Sequence, residues 1–235
     1  MNDLRTALGL LTILPVRSDG QVSGRAFAFY PLVGAAIGLV LVGASVLFRL
    51  GLPDLVAATL VVVLWVVLTG ALHLDGFADS CDALFAATTR ERRLEILHDV
   101  HLGAFGVAGL ILLLLTKFAA VASLRMLPPL FLAPVLGRWA MVYAAAYPPA
   151  RAEGMAVMFR AGLTRRVMLI ATVLAACLAL SCGAFGLAAF AAAFAIATLI
   201  ARFALARVGG LTGDIYGMIC ECVEVGILIL GTSVT

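Results

Sequence analysis

The chain has 235 residues, 64% of them hydrophobic and only 12% charged, with a formal net charge of +3 and a mean hydropathy of +1.15. Soluble domains carry about 25% charged and about 45–50% apolar residues, so a single globular core could not hide this much apolar surface and the composition specifies a polytopic membrane protein. In such a chain the positions of the basic residues matter more than their sum, and no nucleic-acid partner is expected.

Along the chain, residues 1–26 carry Arg5, Arg17 and Arg25 around an apolar segment too short to span, which predicts an interfacial or partly inserted helix. That segment ends at Pro15 without a small-residue cleavage site, so it does not read as a signal peptide. Residues 27–50 form the first expected span, with Gly34, Gly38 and Gly43 allowing close helix packing. A turn at Gly51, Leu52, Pro53 and Asp54 leads into a second span over 55–72.

Directly after it, Asp75, Asp79 and Asp82 stand at i, i+4 and i+7, which aligns them on one helix face behind His73. Residues 88–102 alternate charged and apolar side chains at helical spacing, predicting an amphipathic surface helix in the headgroup layer. Further spans are expected over 103–124, 128–147 (with Arg138 inside), 167–180, 185–205 and from 215 to about 231. An Arg-rich loop occupies 148–166, and a second polar knot runs from Arg207 to Asp214. Cys81, Cys177, Cys182, Cys220 and Cys222 form no Cys-x-x-Cys pair and read as small packing residues.

The expected architecture is therefore all-α: a polytopic integral membrane helix bundle of about seven transmembrane helices, with an N-terminal interfacial helix and a cytoplasmic amphipathic helix, in one domain over 1–235. If the N-terminus is cytoplasmic, only Arg49 and Arg125 are left outside, which satisfies the positive-inside rule. The acids then gather on the cytoplasmic face, Asp54 excepted.

Four groups could carry chemistry. Asp75, Asp79 and Asp82 have no basic residue between them, and hard cations such as Mg2+ take such oxygen ligands and bridge to substrate phosphates; the alternative is a solvated helix end. Gly209, Gly210, Thr212, Gly213 and Asp214, followed by Glu221 and Glu224, offer backbone N–H groups and a second acidic face; the alternative is structural pairing with Arg138 or Arg207. His98 and His101 form a weak His-x-x-His pattern beside Asp99. Arg138 and Arg151, the latter near Glu153 and Gly154, suit phosphate recognition, whereas Arg160, Arg165 and Arg166 read as topology determinants and Lys117 as a residue that snorkels to the interface.

Together these stretches resemble the cobalamin synthase family, adenosylcobinamide-GDP ribazoletransferase. The resemblance is carried by Phe29-Tyr30-Pro31-Leu32-Val33-Gly34, by His73-Leu74-Asp75-Gly76-Phe77-Ala78-Asp79-Ser80-Cys81-Asp82, and by Leu94-Glu95-Ile96-Leu97-His98-Asp99 with Leu102-Gly103. It continues through Arg151-Ala152-Glu153-Gly154 and Gly209-Gly210-Leu211-Thr212-Gly213-Asp214 with Glu221 and Glu224, in order and over nearly the whole chain. One departure is His101, where the family carries arginine.

The resemblance implies a late step of coenzyme B12 synthesis. A GDP-activated corrinoid is joined to α-ribazole or its 5′-phosphate, GMP is released and Mg2+ is required. It implies metal ligation by Asp75, Asp79 and Asp82, completed by Glu221, Glu224 or Asp214. It also implies a carboxylate base among Asp82, Asp214 and Glu221. Substrate contacts are expected from His73, Asp99, His101, Arg138, Arg151, Gly209, Gly210, Thr212 and Gly213. The setting implied is the cytoplasmic membrane, with the site facing the cytoplasm and lipid around the bundle; a homo-oligomer or docking by other corrinoid enzymes is left open. The alternatives kept are a secondary transporter or ion pathway using the intramembrane carboxylates, although matching halves are missing, and a CDP-alcohol phosphatidyltransferase, although Asp79 stands where that pattern has arginine; a UbiA-type prenyltransferase would need Asn-Asp-x-x-Asp pairs, which are missing.

Overall fold

A computed structural model describes residues 2–16, 24–99 and 101–233; Arg17 and Val100 of the sequence reading lie outside them. Helix α1 (Asn2–Leu11) buries Ala7 and Leu11. A 3-10 turn, Gly24–Phe29, feeds α2 (Tyr30–Arg49), with Pro31 in the first helical turn, where proline forfeits no intrahelical bond. Then follow α3 (Asp54–Thr69), α4 (Leu72–Phe85), α5 (Arg90–Ile96), α6 (Ala104–Ser123) and α7 (Pro128–Ala144). The chain ends with α8 (Met155–Gly162), α9 (Arg165–Leu180), α10 (Gly183–Val208) and α11 (Gly213–Thr232). Among the described residues there is no strand, only a single bridge between Pro149 and Leu211.

Among the described residues, four helical segments are long and apolar enough to cross a membrane: 24–49, α6, α10 and α11. The number rises to six if the pairs α3–α4 and α8–α9, bent by 90° and 94°, each count as one span. The protein is thus an all-α membrane bundle, but the expected seven spans are not matched one for one. The sequence reading also counted α7, which has 17 residues with Pro134 in its interior. At 1.5 Å per residue it reaches about 26 Å, short of a hydrocarbon core of about 30 Å.

The α3–α4 break has a local cause. Gly70 and Ala71 adopt φ of 60° and 56°, and Ala71 is the only non-glycine with positive φ among the described residues. Two successive left-handed residues end the α3 hydrogen-bond ladder and turn the chain sharply. The acids of α4 are thereby carried across the bundle end instead of continuing along the α3 axis.

Helix α11 is the centre of the bundle, packing on α4, α6, α7 and α10. It is 72% buried over its most apolar window, against 28–39% for the other span-length segments, so its polar side chains meet protein, not lipid. Small residues allow the close approaches that membrane helices rely on. A Cβ on Gly34 would lie 2.7 Å from Val135 Cα, and Ala189, Ala193, Ala197 and Ala201 form a fully buried stripe on α10. Gly43, expected to do the same, faces open space.

The two ends of the bundle differ. At the far end Arg49 donates to Asp54 (2.8 Å) and to the Val121 carbonyl (3.0 Å), tying α2, α3 and α6 together. At the other end Arg90 donates to Val208 O (2.9 Å), while Ala150 N donates to Leu211 O and Leu211 N to Pro148 O (2.9 Å each). Helix α5 is therefore not a free amphipathic helix in the headgroups: buried Arg93 donates to Ala83 O and Leu84 O (both 2.8 Å), covering carbonyls at the end of α4.

Candidate active site

Helix periodicity places Asp75, Asp79 and Asp82 on one face of α4, and α11 completes the arrangement because Gly76 has no side chain. A Cβ there would lie 2.8 Å from Asp214 Cα, so the two helices meet backbone to backbone and Asp214 comes beside the α4 acids. Thr212 caps α11, accepting from Ile215 N (3.4 Å) and donating to Asp214 Oδ2 (3.1 Å). Asp214 sits in the first turn of α11, where the helix dipole favours negative charge. Half-buried Asp79 feels the negative charges of Asp75, Asp214 and Asp82. Among the described residues, no basic side chain lies within ion-pairing distance of Asp75, Asp79, Asp82 or Asp214.

Beside them opens a cavity of about 310 Å³. Of the residues singled out in the sequence, it is lined by His73, Asp75, His98, Arg151, Glu153, Gly154, Thr212, Gly213 and Asp214, and not by Asp79 or Asp82. Arg151 reaches across from the loop after α7, donating to the Leu94 carbonyl and contacting the His98 ring. It is the one arginine of the lining. Burial lowers the pKa of Arg151 and the nearby Asp214 raises it, and the group stays cationic in either case.

Other expected site residues are placed elsewhere. Glu221 or Glu224 was expected, as an alternative to Asp214, to complete the aspartate site or bind a second ion; in the structure both are paired with buried cations instead. Both are buried below the cavity, where Lys117 Nζ donates to Glu221 Oε2 (2.7 Å) and Glu224 Oε2 (2.6 Å). Arg138, fully buried, donates to Glu224 Oε1 and not to a cavity ligand. Lys117 does not snorkel: it is 2% exposed and stacks over Trp65 at 4.2 Å. Two cations and two anions thus neutralise one another between α6, α7 and α11. The reason is spacing, since Glu221 and Glu224 lie two and three turns down α11 from Asp214, away from the bundle end.

Asp82 also has another partner. Its carboxylate accepts from Gly103 N (2.8 Å) and Gly106 N (2.9 Å), capping α6 in trans. We expect Asp82→Ala to lower stability by about 2 kcal/mol. Asp82→Asn, which keeps one acceptor, should lose about 1 kcal/mol; thermal unfolding in detergent checks both. Gly209 terminates α10 with φ of 77°, and Gly210 packs on Pro149 and Ala150; neither lines the cavity. Asp99 and His101 are exposed and bond to each other (Nδ1–Oδ1 2.6 Å) away from the cavity, and these bonds hold the Asp99 carboxyl below its ordinary range. His98 contacts Arg151 instead, so the two histidines do not act as a pair.

The sequence reading missed the apolar wall: Leu10, Leu11, Met141, Met155 and Phe159. Met155 and Phe159 are four apart in α8, a helical signal hidden inside a loop read for its arginines alone.

A polytopic helix bundle with an acidic cleft at one end of its central helix defines an integral membrane protein. The chain matches the cobalamin-5-phosphate synthase family over residues 3–232 and belongs to it. It is 37% identical over 239 residues to the adenosylcobinamide-GDP ribazoletransferase of Desulforamulus reducens, covering 97% of this chain and 95% of that one. It is 39% identical over 235 residues to the enzyme of the same name from Pseudomonas syringae pv. syringae (95% and 96% covered). To that from Stutzerimonas stutzeri it is 40% identical over 240 residues (97% of each). No solved structure matches the chain.

Proposed function

We propose that this protein joins adenosylcobinamide-GDP to α-ribazole, or to its 5′-phosphate, and releases GMP, working at the cytoplasmic face of the inner membrane. The observation that carries the reading is the cleft itself: Asp75 of α4 and Asp214 of α11, neither of them in an ion pair, share a cavity with one arginine, Arg151. Family membership and the names of the relatives supply the substrates.

The donor set fits magnesium. Asp75, Asp79 and Asp214 offer only carboxylate oxygens. Mg2+ is usually held that way, by one or two carboxylates together with waters and substrate phosphates. When bound, the ion would neutralise charge on the diphosphate and on the departing phosphate.

The protein's own groups then do the rest. In the transfer, a ribose hydroxyl oxygen of ribazole bonds to the corrinoid-side phosphorus. The bridging P–O bond breaks, GMP departs with the bridging oxygen, and the hydroxyl proton passes to a cleft carboxylate, for which Asp214 is the best placed. Arg151 balances negative charge at the mouth, and the apolar wall keeps bulk water from competing with the ribose hydroxyl.

The experiment is direct: purified protein with Mg2+, the GDP-activated corrinoid and ribazole should release GMP in step with cobalamin formation. No GMP from a folded, magnesium-supplied protein would overturn the reading.

A further inference from the structure

We infer that the apolar half of the cavity seats the aromatic base of the ribazole acceptor, while the corrinoid-GDP donor is confined to the acidic rim; this rests on the function proposed above. The size argues first. A cavity of about 310 Å³ lies at the low end of small-molecule sites, roughly 300–1,000 Å³. It can enclose a nucleoside but not a corrin macrocycle carrying a nucleotide.

The lining argues second. Phe159 is 2% exposed, held edge-on to Phe27 (centroids 4.8 Å) and stacked with Tyr216 (6.2 Å), so its ring forms a fixed wall. Met155 lies one turn earlier in α8 and packs over Gly213, and Leu10 of α1 adds to the same lining. Rigid aromatic and adaptable thioether surfaces favour a flat, apolar, polarisable ligand. A charged diphosphate would be stranded there, whereas a benzimidazole would not.

Polarity argues third. His73 lines the cavity, and its Nε2 is buried with no partner. Buried polar atoms are rarely left so, and a ring nitrogen of the base can satisfy this one. With the base seated against Phe159 and Met155, the ribose projects toward Gly213 and Asp214, where its hydroxyl meets the rim. The two substrates are thus divided by chemistry: apolar and planar inside, anionic and bulky at the mouth.

Steady-state kinetics on the purified protein, varying each substrate in turn, tests the division. Met155, 44% exposed, can be changed without emptying the core. Met155→Ala is expected to raise KM for ribazole about tenfold, the upper end of a thioether–aromatic contact, leaving KM for the corrinoid within twofold. Leu10→Trp, which narrows the cavity, should also raise KM for ribazole, and a riboside of unmethylated benzimidazole should recover most of that loss. A rise in corrinoid KM with ribazole KM unchanged overturns the inference while the function stands. A wild-type protein that releases no GMP overturns the function instead.

Discussion

Lys117→Met is expected to cost about 3–5 kcal/mol of stability, the range for removing one partner of a buried ion pair, and so to leave little folded protein in a fold stabilised by roughly 5–15 kcal/mol in all. Lys117 is 2% exposed and serves both Glu221 and Glu224; without it, Glu221 keeps a charge in the middle of the bundle with no counter-ion. The cost belongs to the stranded charge, not to the pair. Removing both ends, as in Lys117→Met with Glu221→Leu, leaves the Arg138–Glu224 pair intact and should recover more than half of the lost stability. Thermal unfolding in detergent measures the cycle. The double variant also separates two roles for Glu221. If it only balances charge, GMP release returns with the fold; a folded but inactive double variant would put Glu221 back in the chemistry.

The second large effect falls on activity. Asp214→Asn, and separately Asp75→Asn, should lower kcat/KM by about 10²–10³-fold, the scale for losing one preorganised electrostatic group at a reacting centre. Neither should harm the fold. Neither carboxylate forms an ion pair, and Asp79 already sits in the field of Asp75, Asp82 and Asp214, so removing Asp75 relieves repulsion, whereas at Asp214 that relief is offset by the Thr212 hydrogen bond and the α11 dipole. For Asp75→Asn a few tenths of a kcal/mol of added stability is expected, and for Asp214→Asn no net change. Unfolding curves and GMP release measured on the same preparations give the contrast. A loss of activity that merely tracked a loss of stability would assign these aspartates to the frame.

How far the sequence carried can be judged on single residues. Composition pointed to a membrane protein, because no soluble core can absorb so apolar a chain, and the span-length apolar runs made it an all-α bundle. The α4 aspartates were legible from their i, i+4, i+7 spacing, and Thr212 and Asp214 from the glycine-rich approach to α11. Glu221 and Glu224 misled because an intramembrane acid looks functional until its partner is known. Arg138, the pairing partner raised as the alternative, does hold Glu224, but Lys117, which bonds both acids from more than a hundred residues away, was not legible locally. Likewise the 90° break after Thr69 depends on two left-handed residues, one of them an alanine with no propensity for that conformation. The apolar wall of α8 went unread since its arginines drew attention to topology.

The placement of α1 has a practical consequence. Ile13 N donates to Leu68 O (3.0 Å), stitching the segment after α1 to the end of α3, and Leu10 and Leu11 face the cavity. The other terminus lies at the opposite end of the bundle, where Gly231 backs on Pro129. A purification tag or fluorescent fusion joined ahead of α1 would load a helix whose last residues line the cavity. The carboxyl end is the place to attach one.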